Sequence, residues 1–198
     1  MSPRPQALGV VLAAGASRRA RCVKALAEIE GQAFVLRALE TLCRGGCQRA
    51  LATVAPPHEA EIRAAIGVQR SLRVSAPEQG MFASIKRAAE VARAFGYDAL
   101  VVSLVDHPRV SPATVAALLD AYRYEPAELL RPSHAGRRGH PILVADDLLE
   151  RVAHAPASSH TRRVLDSARS ARSVDVPDCG IHQDLDTRGA LHLFCSPM

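Results

Sequence analysis

Residues 7–14 read ALGVVLAA, an unbroken apolar run that halts at Gly15. So short a run, with no polar residue on either face, fits a strand covered on both sides, as in the middle of a parallel sheet. A second run, ALVVSLV at residues 99–105, ends at Asp106 and Pro108 and predicts another central strand. Two such strands commit the chain to a layered architecture, because both sheet faces then need helices.

The helices are present in the pattern. Residues 34–43 place Val35, Leu36, Leu39, Leu42 and Cys43 on one stripe, and Gly45 and Gly46 end it. Residues 59–66 read as a helix stopped by Gly67. Residues 84–95 carry Ile85, Ala88, Ala89, Ala92 and Phe95 at helical spacing before Gly96. Ser111 followed by Pro112 is a helix start, a capping hydroxyl and then a proline in the first turn. Further strands are expected at residues 49–54 and 72–75, at Leu129-Leu130, at 141–144 flanking a loop 134–140, and at 174–176. Short helices are expected at 147–153 and 161–168. Strands alternating with helices predict an α/β domain with a mostly parallel central sheet and right-handed crossovers. At 198 residues, the chain 1–198 is read as one domain.

Composition excludes several function classes. Hydrophobic residues are 48% and charged residues 23%, which is ordinary for a globular domain and excludes a disordered chain. No apolar run approaches the ~18 residues of a membrane span. Residues 1–6 show no signal-peptide pattern, so no membrane is expected and a cytoplasmic location is. The cysteines Cys22, Cys43, Cys47, Cys179 and Cys195 are scattered, with no second pair at zinc-finger spacing. They read as buried or incidental thiols in a reducing compartment. The net charge is +5, but the basic residues form no run and aromatics are only 4%, so no nucleic-acid partner is expected. The positive charge is almost all arginine: Lys24 and Lys86 are the two lysines against 23 arginines.

In open α/β sheets, ligands bind at the carboxyl ends of strands, and two such loops here carry chemistry. The first spans residues 12–24. Gly15 lets the chain turn sharply and bring backbone N–H groups to an anion. Ser17 adds a hydroxyl, Arg19 a forked donor and Lys24 a point charge suited to phosphate. The second begins at Asp106, a carboxylate at a strand end. Asp184 and Asp186 offer two more, and magnesium takes such oxygens while keeping several waters. Chemistry on a phosphate chain needs such equipment, because charge gathers on phosphate oxygens and catalysis there is mostly positioning and cations.

The first loop, Leu12-Ala13-Ala14-Gly15-Ala16-Ser17-Arg18-Arg19 through Lys24, resembles the nucleotide-binding signature of the MobA-like nucleotidyltransferases. Three further segments resemble that family in order. They are Leu104-Val105-Asp106-His107-Pro108, Gly136-Arg137-Arg138-Gly139-His140-Pro141 and Asp184-Leu185-Asp186-Thr187. Gly80-Met81 with Ser84-Ile85 resembles a segment of the cytidylyl branch, and the likeness runs over roughly residues 8–191. The resemblance implies a Rossmann-like three-layer fold and a magnesium-dependent transfer from a nucleoside triphosphate to a phosphorylated small molecule. It also implies, as site residues, Leu12, Ala13, Ala14, Gly15, Ser17, Arg19, Arg21, Lys24, Gly80 and Ser84 at the nucleotide. Arg19, Lys24 and Asp106 become catalytic, and Asp106, Asp184 and Asp186 hold the metal. Gly139, His140, Pro141 and Arg162 face the acceptor. Ala13-Ala14 before Gly15 favours CTP over GTP, and molybdopterin is the leading acceptor, with a molybdoenzyme as a further partner.

The sequence departs from the family at Arg21, where the pattern has glycine, at Val23, and at Arg188-Gly189-Ala190. Arginine at a glycine position is either strained or an added phosphate contact. The departures keep two other readings open: a weakened relative that carries a nucleotide or pterin, and a guanylyltransferase of the same family.

Overall fold

The computed structural model describes residues 5–15 and 23–185. Its centre is β1 (Ala7–Leu12), flanked in parallel by β4 (Arg49–Val54) and β6 (Ala99–Leu104). Both faces of β1 are covered. Ala7 and Val11 join one apolar cluster, while Leu8 and Val10 join the other. The first cluster packs β1 against α1 (Phe34–Arg44), α2 (Glu59–Ile66) and α4 (Pro112–Tyr124). The second packs it against α3 (Met81–Ala94) and α5 (Asp146–His154). The result is three layers, helices on both faces of a sheet.

The remaining strands are β5 (Ser71–Arg73), β7 (Leu129–His134), β8 (Arg137–Arg138), β9 (Ile142–Ala145) and β10 (Ala171–Asp175). The order across the sheet is β10-β7-β9-β6-β1-β4-β5, with β8 paired to β7. Strand β9 runs antiparallel to both β6 and β7, so the sheet is mostly parallel with one reversed strand near its centre. The chain leaves β1 for β4 on one side and later adds β6 on the other. That reversal opens a crevice at the carboxyl ends of β1 and β6.

Several boundaries differ from the sequence reading. Helix α3 starts at Met81, three positions before the expected Ser84, because Gly80 at φ +86° turns the chain directly into the helix. The expected loop 134–140 contains a hairpin, β7 to β8, turned by Ala135 and Gly136 at positive φ. The edge strand β10 covers 171–175, where 174–176 was expected, and α6 (Thr161–Leu165) stops before Ala168. A small hairpin of β2 (Glu28–Ile29) and β3 (Gln32–Ala33) was not visible in the pattern, since strands of two residues show no alternation. The expected cap is present: Ser111 Oγ accepts from the Ala113 amide at 3.2 Å, ahead of Pro112. Among the described residues, no helix is long and apolar enough to cross a membrane.

Candidate active site at the strand carboxyl ends

A pocket of about 290 Å³ opens where β1 and β6 end. Its lining includes eight residues singled out in the sequence: Leu12, Ala13, Ala14, Gly15, Lys24, Gly80, Ser84 and Asp106. They come from four places in the chain: the exit from β1, the turn at Lys24, the start of α3 and the turn after β6. The exit from β1 supplies the floor. A 3-10 turn at Lys24–Leu26 presents the lysine, and the turn after β6 presents the carboxylate. The sequence reading missed Pro77 and gave Met81 only as part of the Gly80-Met81 segment; both complete the wall from the α3 side. Met81 is half exposed at the mouth, and Ser84 is buried one turn further in.

Lys24 Nζ stands 3.7 Å from Asp106 Oδ2. That is an ion pair too long for a hydrogen bond, and both side chains keep contact with the pocket. Gly15 does not adopt a left-handed conformation, and the course of the chain beyond it lies outside the described residues. Among the described residues no atom lies within 4 Å of where its Cβ would be. Gly80 is the position that needs glycine for its backbone, at φ +86°. The floor is tied down from β4: Thr53 is fully buried and its Oγ1 accepts from the Ala13 amide at 3.1 Å.

A strap, residues 178–185, laces the turn that carries His140 to this pocket. The Leu185 amide donates to the Asp106 carbonyl at 2.9 Å, and the Leu185 side chain is buried in the core. Asp184 is thereby carried beside the Asp106 backbone. Asp178 accepts from the Ser111 amide at 2.9 Å, from the Thr114 hydroxyl at 2.5 Å and from the Gly180 amide at 2.9 Å. Ile181 receives the His140 amide on its carbonyl at 3.3 Å. Gly139 passes so close that a Cβ there would sit 2.4 Å from the Ile181 oxygen. Sequence reasoning found Asp184 but not Asp178, whose role rests on contacts with residues more than sixty positions away.

His140 precedes a cis peptide to Pro141 and lies edge-on to His107, with ring centroids 5.8 Å apart. Burial, with the nearby His107 and then Arg131, pushes the His140 imidazole down to about 4, so it is neutral at physiological pH. His107 follows Asp106 and is buried, with Nδ1 unpartnered among the described residues. Arg162 is placed apart from the pocket, its side chain 93% exposed and paired with Asp166 at 3.5 Å. Ser17, Arg19, Arg21, Asp186 and Thr187, with the departures at Arg188-Gly189-Ala190, lie outside the described residues.

For a metal, Asp106 faces the pocket and Asp184 rides on the strap. The described residues contain no group of three or more ligating side chains. One or two carboxylates fit a hard cation that takes most of its oxygens from water and phosphate, and do not fit a metal caged by protein alone.

Comparison with known proteins places this geometry in context. The model of the MobA-like NTP transferase domain matches residues 9–174. Nicotine blue oxidoreductase of Paenarthrobacter nicotinovorans is 31% identical over 195 residues, covering 92% of this chain and 93% of that protein. The crystal structure of Rv0371c from Mycobacterium tuberculosis H37Rv has a TM-score of 0.79 at 25% identity, over 98% of both chains. A manganese complex of Rv0371c has a TM-score of 0.73 at 22% identity, over 97% of this chain and 98% of that one. CMP:2-keto-3-deoxy-manno-octonic acid synthetase bound to CTP shares the fold, with a TM-score of 0.72 at 16% identity, over 95% and 96% of the two chains.

Proposed function

Since the chain belongs to the MobA-like NTP transferase family, we propose that it moves a nucleoside monophosphate from a triphosphate, with CTP preferred, to a phosphorylated small molecule of the molybdopterin type. The observation that carries this reading is the meeting of Lys24 and Asp106, from distant stretches of chain, across one pocket at the strand carboxyl ends. The acceptor's phosphate oxygen attacks the α-phosphorus. A new phosphoanhydride forms as the α–β anhydride breaks, and pyrophosphate leaves with the bond's electron pair. No protein nucleophile is needed.

In this reading the amides at Ala13–Gly15 and the Lys24 ammonium hold the phosphate chain, joined by Ser17, Arg19 and Arg21 from the same loop. Gly80 and Ser84 border the base. Asp106, Asp184 and Asp186 would hold magnesium, whose charge offsets that of the departing pyrophosphate. Gly139, His140 and Pro141 bound the acceptor, and neutral His140 offers it a hydrogen bond without adding charge. The manganese in the Rv0371c complex supports a divalent ion in such a fold.

The deciding experiment screens ATP, GTP, CTP and UTP by thermal shift with magnesium, then measures pyrophosphate release with an acceptor phosphate. A ligand at 100 times its Kd adds ~2.7 kcal/mol to stability. A shift for CTP above the others is expected, and no shift for any triphosphate overturns the reading. The 31% identity to an enzyme named an oxidoreductase favours one second reading, a redox activity on the same scaffold. Consumption of a reduced nicotinamide with a quinone-like dye, and no pyrophosphate release, would establish it instead.

A further inference from the structure

We propose that the acceptor carries a second anionic group, separate from its reacting phosphate, and that Arg131, Arg138 and Arg162 hold that group at the outer end of the site. This rests on the nucleotidyl-transfer reading and specifies the substrate class of the acceptor side.

The three arginines converge from three elements. Arg131 lies in β7, directly across from Ser173 of β10 in the parallel register. Register partners on adjoining strands project from the same sheet face. Arg138 Nε donates to Ser173 Oγ at 3.0 Å, which brings Arg138 over that face beside Arg131. Arg162 approaches from α6. Its Nε pairs with Asp166 at 3.5 Å, and Arg131 Nη2 reaches the other oxygen of the same carboxylate at 3.9 Å. Among the described residues Asp166 is the only carboxylate paired with any of the three. Three positive charges against one negative leave an excess of two.

Such an excess is costly where water is scarce, and the Arg131 side chain is only 22% exposed. Burial, Arg138 and Arg162 all disfavour its charge, and Asp166 offsets them only in part. A guanidinium does not relieve this by losing its proton. It is relieved by an anion, and guanidinium forks suit phosphate or carboxylate oxygens by their paired donors.

The cluster is joined to the reaction centre by short steps. The Pro132 carbonyl, next to Arg131, accepts from the Gly139 amide at 2.9 Å, which fixes the turn carrying His140. His140 meets His107, and His107 follows Asp106. The sequence of groups is therefore carboxylate, two imidazoles, then arginines. A molecule laid along it has its reacting oxyanion at the Asp106 and Lys24 end, a neutral polar middle over the histidines and an acidic group on the arginines. An acceptor with a single charge would leave the outer cluster unpaired.

The test is calorimetric titration with inorganic orthophosphate, and separately with malonate, as probes of the cluster. Parent protein is compared with Arg131→Gln, Arg138→Gln and Lys24→Gln. Each protein is also titrated with CTP and magnesium. The expected result is a binding event, for one or both probes, that weakens at least tenfold in Arg131→Gln and Arg138→Gln and persists in Lys24→Gln. CTP affinity in the two arginine variants stays within twofold of the parent, which also shows that they are folded. The tighter of the two probes then identifies the group as phosphate-like or carboxylate. Arginine variants that bind both probes within twofold of the parent overturn the proposal. Failure of the parent to bind CTP, with the probe pattern intact, defeats the nucleotidyl-transfer reading and leaves the anion cluster standing.

Discussion

Two charged cavities at opposite ends of the sheet are built on different principles. The larger, about 500 Å³, lies at the amino ends of the strands among the ends of α3 and α4 and the start of α5. It is rich in carboxylates, yet each is closely bonded. Asp98 accepts from the Gln6 amide at 2.8 Å and Asp146 from the Tyr122 hydroxyl at 2.7 Å. Asp147 pairs with Arg169 at 3.0 Å, and Glu150 pairs with Arg93. Burial and the Asp146 carboxylate push the Tyr122 phenol well above its ordinary range, so it stays a donor. Among the described residues the smaller cavity at the carboxyl ends is lined by two charged side chains, Lys24 and Asp106, which stand apart at 3.7 Å. Neither size nor charge content distinguishes a reaction site. The contrast lies in arrangement: the amino-end carboxylates are each paired at close range, while Lys24 and Asp106 face one pocket 3.7 Å apart.

The largest effect tests that contrast directly. Asp106→Asn is expected to cut pyrophosphate release about 10³-fold, ~4 kcal/mol of transition-state stabilisation, while the protein stays folded. Asp146→Asn, in the amino-end cavity, is expected to leave turnover within about twofold, since it touches no reacting group. Similar losses in both variants would erase the distinction between the cavities.

The next effect concerns stability. Glu128 is 6% exposed, accepts from Arg151 at 2.7 Å and 3.3 Å, and accepts from the Arg169 amide at 2.6 Å. Removing the charge strands a partly buried guanidinium, so Glu128→Gln should cost ~3 kcal/mol by denaturant unfolding, with turnover of the folded protein unchanged. The hydrogen bonds from Arg151 hold the Glu128 carboxyl below its usual value of 4.5. A depressed carboxyl contributes stability that is complete above the unfolded value and drains away as pH falls through the folded one. The parent should therefore lose stability progressively below about pH 4.5, and Glu128→Gln should lose less over that window. Parallel acid profiles for the two proteins would remove Glu128 as the cause.

Lys24→Gln comes third. A point charge at the phosphates serves the leaving group more than the nucleoside. The variant should lose ~2 kcal/mol, about 30-fold, in CTP affinity but much less in CMP affinity. Equal losses for the two nucleotides by calorimetry would place Lys24 elsewhere on the ligand.

The two halves of the site also differ in how far the sequence disclosed them. Strand β4 and helix α2 fall at the positions expected, because their apolar spacing and their proline and glycine boundaries are local. Lys24 and Asp106 were legible for a related reason: one is a rare lysine after a glycine turn, the other a carboxylate ending an apolar run. The strap was not legible beyond Asp184. Asp178 holds Ser111 and Thr114 across separations of 67 and 64 residues, and no pattern within a window of chain encodes such a bond. Arg131 was passed over for the same reason, since its neighbours Ser173 and Asp166 become neighbours only when the sheet forms.

Thr53 extends that lesson inside the nucleotide half, and its predicted effect is the smallest. It is not among the residues lining the carboxyl-end pocket and was singled out by no motif, yet its hydroxyl accepts from the Ala13 amide and lies 3.4 Å from the Val11 carbonyl. Thr53→Val keeps the side chain's shape and deletes the oxygen. The Ala13 amide then loses its buried partner, at a net cost of ~1 kcal/mol. If Thr53 only stabilises the core, that cost appears in unfolding alone. If it sets the height of the pocket floor, CTP affinity falls about fivefold as well, because the amides at Ala13–Gly15 drift from the phosphates. The second outcome is expected, with Thr53→Ser restoring both stability and affinity. Nucleotide affinity unchanged in Thr53→Val, alongside the same loss of stability, would show that the floor is positioned by the sheet without this bond.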